Sequence, residues 1–214
     1  MSTFRFAIMG AGNIAHQFCD AVTLVEDCEV SAIASKDLGR AQKFAEECSV
    51  AHAYDNYEQM LIEEKPDCVY IAVTPNDHFR LTMLCLEHRV PVLCEKAMFT
   101  NSAEAKAVFE KAEKDQTFVM EAMWSRFLPA VNQAKKWAAE GKIGRLEALQ
   151  GRIGFLAPEG ADNRYHSPLL CGGAATDITV YAYEIATWLV NEPVRKTYAA
   201  ANLDLTGVDL TDQV

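Results

Sequence analysis

Three things are scarce in this 214-residue chain, and each scarcity closes off a class of function. Basic residues are outnumbered: 20 Lys and Arg against 30 Asp and Glu leave a formal charge of −10. Such a balance repels a phosphate backbone unless the cations gather on one face, and no gathering is visible, so no nucleic-acid partner is expected. Long apolar runs are missing: nothing approaches the ~18 residues of a membrane span, so no membrane partner is expected either. Paired cysteines are missing as well. The seven Cys, at 19, 28, 48, 68, 85, 94 and 171, contain no C-x-x-C and are scattered through apolar segments. That distribution argues against a zinc knuckle or a disulfide framework and reads as buried thiols in a reducing cytosol. The five His, at 16, 52, 78, 88 and 166, show no ligand-like spacing with Cys or carboxylates, so no metal site is expected. The opening Met-Ser-Thr-Phe-Arg-Phe-Ala-Ile passes straight into a strand-like run without a charged-then-apolar leader, the pattern of a cytoplasmic protein.

What is present is an ordinary globular composition, 50% hydrophobic and 23% charged, at a length that allows one large domain or one and a half. The N-terminal half alternates β-branched runs with amphipathic stretches, the signature of repeated βα units on a parallel sheet. Strands are predicted at 4–9, 29–35, 68–73, 91–94 and 117–121. Helices are predicted after the first strand, where Ile14, Phe18, Ala21, Val22 and Val25 form one stripe, and at 38–47, 57–64, 77–88 and 102–114. The alternation stops near 121–125, which divides the chain into a Rossmann-type doubly wound domain over 1–122 and a second, α+β domain over 123–214. In the second part a helix at 129–140, a strand near 145–156, a long loop at 157–172, a helix at 173–190 and a strand near 194–202 are expected. No internal repeat or low-complexity tract interrupts the chain.

The run Gly10-Ala11-Gly12-Asn13-Ile14-Ala15 follows the first strand directly and opens the first helix, the context a dinucleotide fingerprint requires. Gly10 permits the tight turn, Gly12 lets backbone N–H groups approach a pyrophosphate, and Ala15 keeps helix and strand close. The helix N-terminus then offers partial positive charge to a diphosphate. The plainer alternative is an ordinary βα turn. About 20 residues on, where an acidic residue would grip the adenosine ribose of NAD, stand Ala34, Ser35 and Lys36. Asp37 comes one step late, and Arg40 lies one helical turn beyond Lys36, so the two cations are expected to converge on a 2′-phosphate. NADP is therefore the expected cofactor, with NAD as the alternative; the plainer reading of Lys36 and Arg40 is solvated surface charge.

Beyond the glycine turn, four further runs stand in order: Ala72-Val73-Thr74-Pro75-Asn76-Asp77-His78, Val92-Leu93-Cys94-Glu95-Lys96, Met120-Glu121-Ala122-Met123-Trp124-Ser125-Arg126-Phe127, and Gly172-Gly173-Ala174-Ala175-Thr176-Asp177-Ile178-Thr179-Val180-Tyr181. With these the whole chain resembles the glucose-fructose oxidoreductase, inositol dehydrogenase and MocA (Gfo/Idh/MocA) family, in its branch of dimeric dihydrodiol and NADP-linked D-xylose dehydrogenases. The resemblance implies a Rossmann domain followed by a domain with a large open, mainly antiparallel sheet. It also implies hydride transfer between a nicotinamide and a carbon of a sugar, diol or related alcohol.

Carried over by motif, the Glu-Lys-Pro sequence of the family falls on Glu95, Lys96 and Ala97, so the resemblance gives Lys96 the role of contacting substrate and tuning the acid/base residue. The helix motif of Asp followed four residues later by His or Tyr falls on Asp177 and Tyr181. Thr74, Pro75, Asn76 and His78 match the loop beneath the nicotinamide, and Trp124, Arg126 and Phe155 match positions lining the substrate pocket. Family members normally continue for roughly another third of their length. An incomplete second sheet with exposed apolar surface is therefore expected, and with it a homodimer or larger assembly.

Hydride removal from a carbinol needs a group to take the hydroxyl proton. Tyrosine has an ordinary pKa of ~10, so a phenolate base needs a cation nearby, and Lys96 at the end of a parallel strand is the natural one. Asp177 and Tyr181, four residues apart on a helix, share a face. The plainer alternatives are that Tyr181 packs in the core with Ile178, Ile185, Trp188 and Leu189, that His78 is a polar helix-start residue, and that Trp124 is core. An NADP-dependent sugar or diol dehydrogenase leads; its rivals are a dinucleotide-binding or redox-sensing protein without turnover and a structural dimerisation module.

Overall fold

The computed structural model describes residues 3–158, 160 and 163–214. The chain forms two compact units, one running to Ala122 and the other over Met123–Val214.

The first unit is built on six parallel strands, β1 (Phe4–Met9), β2 (Cys28–Ala34), β3 (His52–Tyr54), β4 (Cys68–Ile71), β5 (Val92–Cys94) and β6 (Val119–Glu121), in the order β3-β2-β1-β4-β5-β6. The inner strands are apolar on both faces, as a sheet covered on both sides demands: Ala7, Ile8 and Met9 of β1 are fully buried, as are Ala32, Ile33 and Ala34 of β2. One core gathers Met9, Met60, Ile71 and Leu81, a second gathers Ile8, Ala15, Ile33 and Phe44. Helices α1 (Asn13–Val22), α2 (Leu38–Cys48), α3 (Tyr57–Glu64), α4 (His78–Glu87) and α5 (Ser102–Asp115) connect the strands. Three start on side-chain caps: Asp37 accepts from the Arg40 amide, Asn56 from that of Gln59 and Asn101 from that of Glu104, satisfying amides that have no helical acceptor.

The sequence reading anticipated every strand of this sheet except β3. Three residues without a β-branched side chain give no periodic signal; β3 is held instead by long-range side-chain bonds. The buried Glu64 carboxylate accepts from the Tyr54 hydroxyl at 2.6 Å and the Arg5 guanidinium at 2.8 Å, and lies 2.6 Å from His52 Nδ1.

The second unit carries a 3-10 turn at Trp124–Phe127, α6 (Pro129–Ala139), short 3-10 turns at Arg164–His166 and Pro168–Leu170, a π-turn at Ala175–Thr179 running into α7 (Val180–Val190), and an antiparallel hairpin of β7 (Ala200–Leu203) and β8 (Asp209–Gln213). Two expectations are corrected here. The segment 145–156 is not a strand: it makes no ladder with the described residues, is broken by Gly151 and Gly154, and lies with Gly151 against Ala182 of α7. The strand near 194–202 begins only at Ala200, past Pro193 and the charged Arg195-Lys196 pair. The long loop at 157–172 folds into the two 3-10 turns; its residues 159, 161 and 162 lie outside those described.

Candidate functional site

In the first unit the side chains of interest gather where the parallel strands end, the carboxyl edge at which open α/β sheets bind ligands. At the end of β1, Gly10 has φ +110, and a Cβ there would lie 2.6 Å from the Ala72 carbonyl oxygen and 2.9 Å from Val73. Only glycine lets the chain turn this close to β4. Gly12 is the N-cap of α1 and brings no side chain to the helix end, while Ala15 and His16 already return their amides to its carbonyl. The amides of Asn13 and Ile14 precede the first helical acceptor and, with the positive end of α1, form a seat for an anion.

At the end of β2, Ser35 is buried. Lys36 and Arg40, expected to converge, are drawn to different partners: the Lys36 ammonium pairs with the Asp77 carboxylate, and the Arg40 guanidinium donates to the Ala11 carbonyl at 3.3 Å, beside the glycine turn. Asp37 is turned back onto α2, its carboxylate accepting from the Arg40 amide at 2.8 Å. After β4, Thr74 and Pro75 are half-buried and Asn76 is exposed.

His78, matched by motif to the loop after β4, is the first residue of α4, the polar helix-start position given as the plainer alternative; it is fully buried, with Nδ1 3.0 Å from the Ala97 carbonyl and Nε2 3.0 Å from the Val73 carbonyl. It braces the loops that follow β4 and β5. Burial pushes its pKa below the usual histidine range, against the pull of the carbonyls and Asp77. The peptide bond between Lys96 and Ala97 is cis. Beside it, Glu95 accepts from the Tyr70 hydroxyl at 2.5 Å and from the Lys96 amide at 3.2 Å. Burial drives the Glu95 carboxyl up, Tyr70 and Lys96 oppose this, and neighbouring Glu121 adds to it. Tyr70 escaped the sequence reading, and Glu121 entered it only within the run Met120–Phe127, without a role; their positions at the ends of β4 and β6 were the available signal.

The second unit has its own cluster. Tyr181, at the first turn of α7, is buried, and its phenol oxygen accepts from the Trp124 indole Nε1–H at 3.0 Å. Asp177 lies in the π-turn four residues before, and its carboxylate accepts from the Arg164 guanidinium at 3.1 Å. Arg164 stacks over the Tyr165 ring, which meets Phe155 edge-on at 5.3 Å between centroids. Sequence reasoning missed Arg164, which sits in the long loop without local periodicity. Arg126 is turned to the Glu184 carboxylate and lies over the Trp188 ring, so its guanidinium is engaged within the unit. A cavity of about 1080 Å³ opens between the 149–157 segment, α7 and the hairpin, with Phe155 and Asp177 in its wall.

Residues 4–123 match the family model described as oxidoreductase family, NAD-binding Rossmann fold, and residues 131–214 match the Gfo/Idh/MocA C-terminal domain. The chain belongs to the Gfo/Idh/MocA oxidoreductase family. Its first unit is thus an NAD-binding Rossmann domain of that family. Among Gfo/Idh/MocA relatives, a mouse (Mus musculus) trans-1,2-dihydrobenzene-1,2-diol dehydrogenase is 32% identical over 98% of this chain and 63% of its own length. The chain therefore spans less than two thirds of that relative. In structure, an NAD-binding protein from Listeria innocua aligns with a TM-score of 0.82 at 23% identity, over 95% of this chain and 59% of the other. A 3-ketoreductase from Actinomadura kijaniata, solved as a Tyr-to-Phe mutant with TDP-benzene and NADP, aligns at 0.62 with 26% identity over 67% and 44% of the two chains. Among the described residues no helix is long and apolar enough to cross a membrane.

Proposed function

We propose that this protein is an NADP-dependent dehydrogenase acting on the CH–OH carbon of a sugar, diol or related alcohol, with Tyr181 as the acid/base residue and Lys96 as the cation that assists it. The observation that carries the reading is the glycine turn, where a backbone that excludes any Cβ at Gly10 delivers the uncapped N-terminus of α1. The residues present fit a dinucleotide: Gly10, Gly12, Asn13, Ile14 and Ala15 would hold the diphosphate, Ser35, Lys36 and Arg40 the adenosine ribose, and Thr74, Pro75, Asn76, Glu95 and Lys96 the nicotinamide side. His78 serves that side indirectly, through the loops it braces. When bound, the nicotinamide supplies the hydride acceptor or donor.

The remaining chemistry is that of the chain's own groups. Tyr181 takes the hydroxyl proton during oxidation and returns it during reduction. The Trp124 N–H directed at the phenol oxygen stabilises negative charge on that atom. Asp177, held by Arg164, orients the start of α7, and Trp124, Arg126 and Phe155 border the substrate. The animal relative named as a dihydrodiol dehydrogenase supports a diol-like substrate. NADP is favoured over NAD because the cations stand at the end of β2 while the Asp37 carboxylate is engaged in capping α2. The seven cysteines, none of them in a C-x-x-C pair, support a location in the reducing cytoplasm. Exposed Leu156, Leu169, Tyr198 and Leu205 support self-association as a homodimer or larger assembly.

The test is reduction of NADP⁺, followed at the nicotinamide absorbance, across a panel of pentoses and cyclic diols. Turnover that Tyr181→Phe abolishes supports the proposal. Dinucleotide binding without turnover on any member of the panel favours the binding-protein alternative.

A further inference from the structure

The Lys36–Asp77 ion pair has a topological consequence. Lys36 leaves the end of β2, Asp77 lies in the turn after β4, and β1 stands between those strands, so the pair spans the end of β1 where the glycine turn sits. The bond therefore crosses the edge at which the adenosine half of a dinucleotide would lie. Asp77 is doubly held: its other carboxylate oxygen accepts from Arg80 Nε at 3.2 Å, and Arg80 in turn lies over the Tyr57 ring. Although partial burial pushes the Asp77 carboxyl up, the bonds from Lys36 and Arg80 keep it below the ordinary carboxylate range, so it is an anion at neutral pH. The Lys36 side chain is 68% exposed, and an ion pair this solvated is easily exchanged.

We propose that Asp77 is a specificity-determining residue: it is the internal anion that the 2′-phosphate of NADP must displace from Lys36, and it thereby caps the preference for NADP over NAD. The inference rests on the dinucleotide reading given above. A 2′-hydroxyl carries no charge with which to compete for Lys36, whereas a phosphomonoester dianion competes for the ammonium and is repelled by the carboxylate it releases. Arg80 moderates that repulsion, since Asp77 keeps one cation after Lys36 has moved.

The experiment is fluorescence titration of NADPH and NADH with the wild-type chain, Asp77→Asn, Arg80→Gln and the double variant Asp77→Asn/Lys36→Met, each checked for folding by thermal unfolding. Asp77→Asn is expected to bind NADPH about fivefold tighter, the scale of one solvent-screened charge interaction, with NADH affinity unchanged. The gain disappears in the double variant, and Arg80→Gln binds NADPH more weakly without affecting NADH. An unchanged NADPH affinity in Asp77→Asn, or an equal gain for both cofactors, overturns the inference while leaving the dinucleotide reading intact. A folded wild-type chain that binds neither cofactor overturns the dinucleotide reading, and the inference with it.

Discussion

The Trp124 indole donates its Nε1–H to the Tyr181 phenol oxygen over 3.0 Å, with the two rings edge-on at 6.0 Å between centroids. Fifty-seven residues separate the pair in sequence. Trp124 therefore holds the oxygen that the proposal assigns to proton transfer.

This gives a pair of kinetic expectations. Tyr181→Phe should lower kcat by ~10²–10⁴-fold, the worth of a positioned acid/base group, with cofactor affinity unchanged. Trp124→Phe keeps an aromatic wall but loses one hydrogen bond of about 1–1.5 kcal/mol, so kcat should fall about tenfold. If Trp124 only borders substrate, KM rises and kcat stays; steady-state kinetics separate the two.

The two glycines of the turn should separate folding from binding. Gly10→Ala forces a Cβ to within 2.6 Å of a backbone carbonyl oxygen at φ +110 and should cost about 1–3 kcal/mol or more, read as a lower urea midpoint with unchanged m. Gly12 has extended φ of −103, and a Cβ there meets only the Ala72 carbonyl oxygen at 3.9 Å. Gly12→Ala should therefore leave stability within about 1 kcal/mol, the cost of a poorer cap, and weaken NADPH and NADH alike.

Burial of His78 gives stability a defined pH dependence. Its folded pKa lies below the unfolded value, so between the two the unfolded chain binds more protons and stability rises with pH. Its contribution is complete above the ordinary histidine pKa of ~6.5 and is lost as pH falls through the lower, folded value. Glu95 has the opposite sign: its carboxyl is raised, so its protonated form favours the fold and stability falls as pH rises above the ordinary glutamate value. Urea unfolding across pH 4–8 should show the slope just below pH ~6.5 flatten in His78→Gln. In Glu95→Gln the acidic-range slope should become steeper.

Thiol reactivity should divide the seven cysteines by burial. Cys19, Cys68, Cys85 and Cys94 are buried; burial pushes the thiols of Cys19 and Cys68 up to about 12 and that of Cys94 well above its usual value. Cys28, Cys48 and Cys171 are half-buried. Ellman's reagent at pH 8 should label these three in the native protein, Cys48 the more slowly because burial, with Asp20 and Glu47 nearby, raises its thiol, and the other four only after denaturation.

By itself the sequence determined the βα register of the first unit, because period-2 and period-3.6 patterns, caps such as Asn101 and the glycines of the turn are local signals. It also placed Gly10, Gly12, Lys36, Glu95 and Lys96 just past strand ends, since a parallel sheet puts every such end on one edge. What tertiary structure decided are the pairings made across large sequence separations. The short strand β3 is held through the Glu64 carboxylate, Lys36 is taken up by Asp77 instead of converging with Arg40, and His78 is buried between two carbonyls of separate loops. Asp177 is joined to Arg164 and Arg126 to Glu184 in the same way. A charged or polar side chain has no periodicity that names its partner; the partner is fixed only when the fold brings a complementary group within reach.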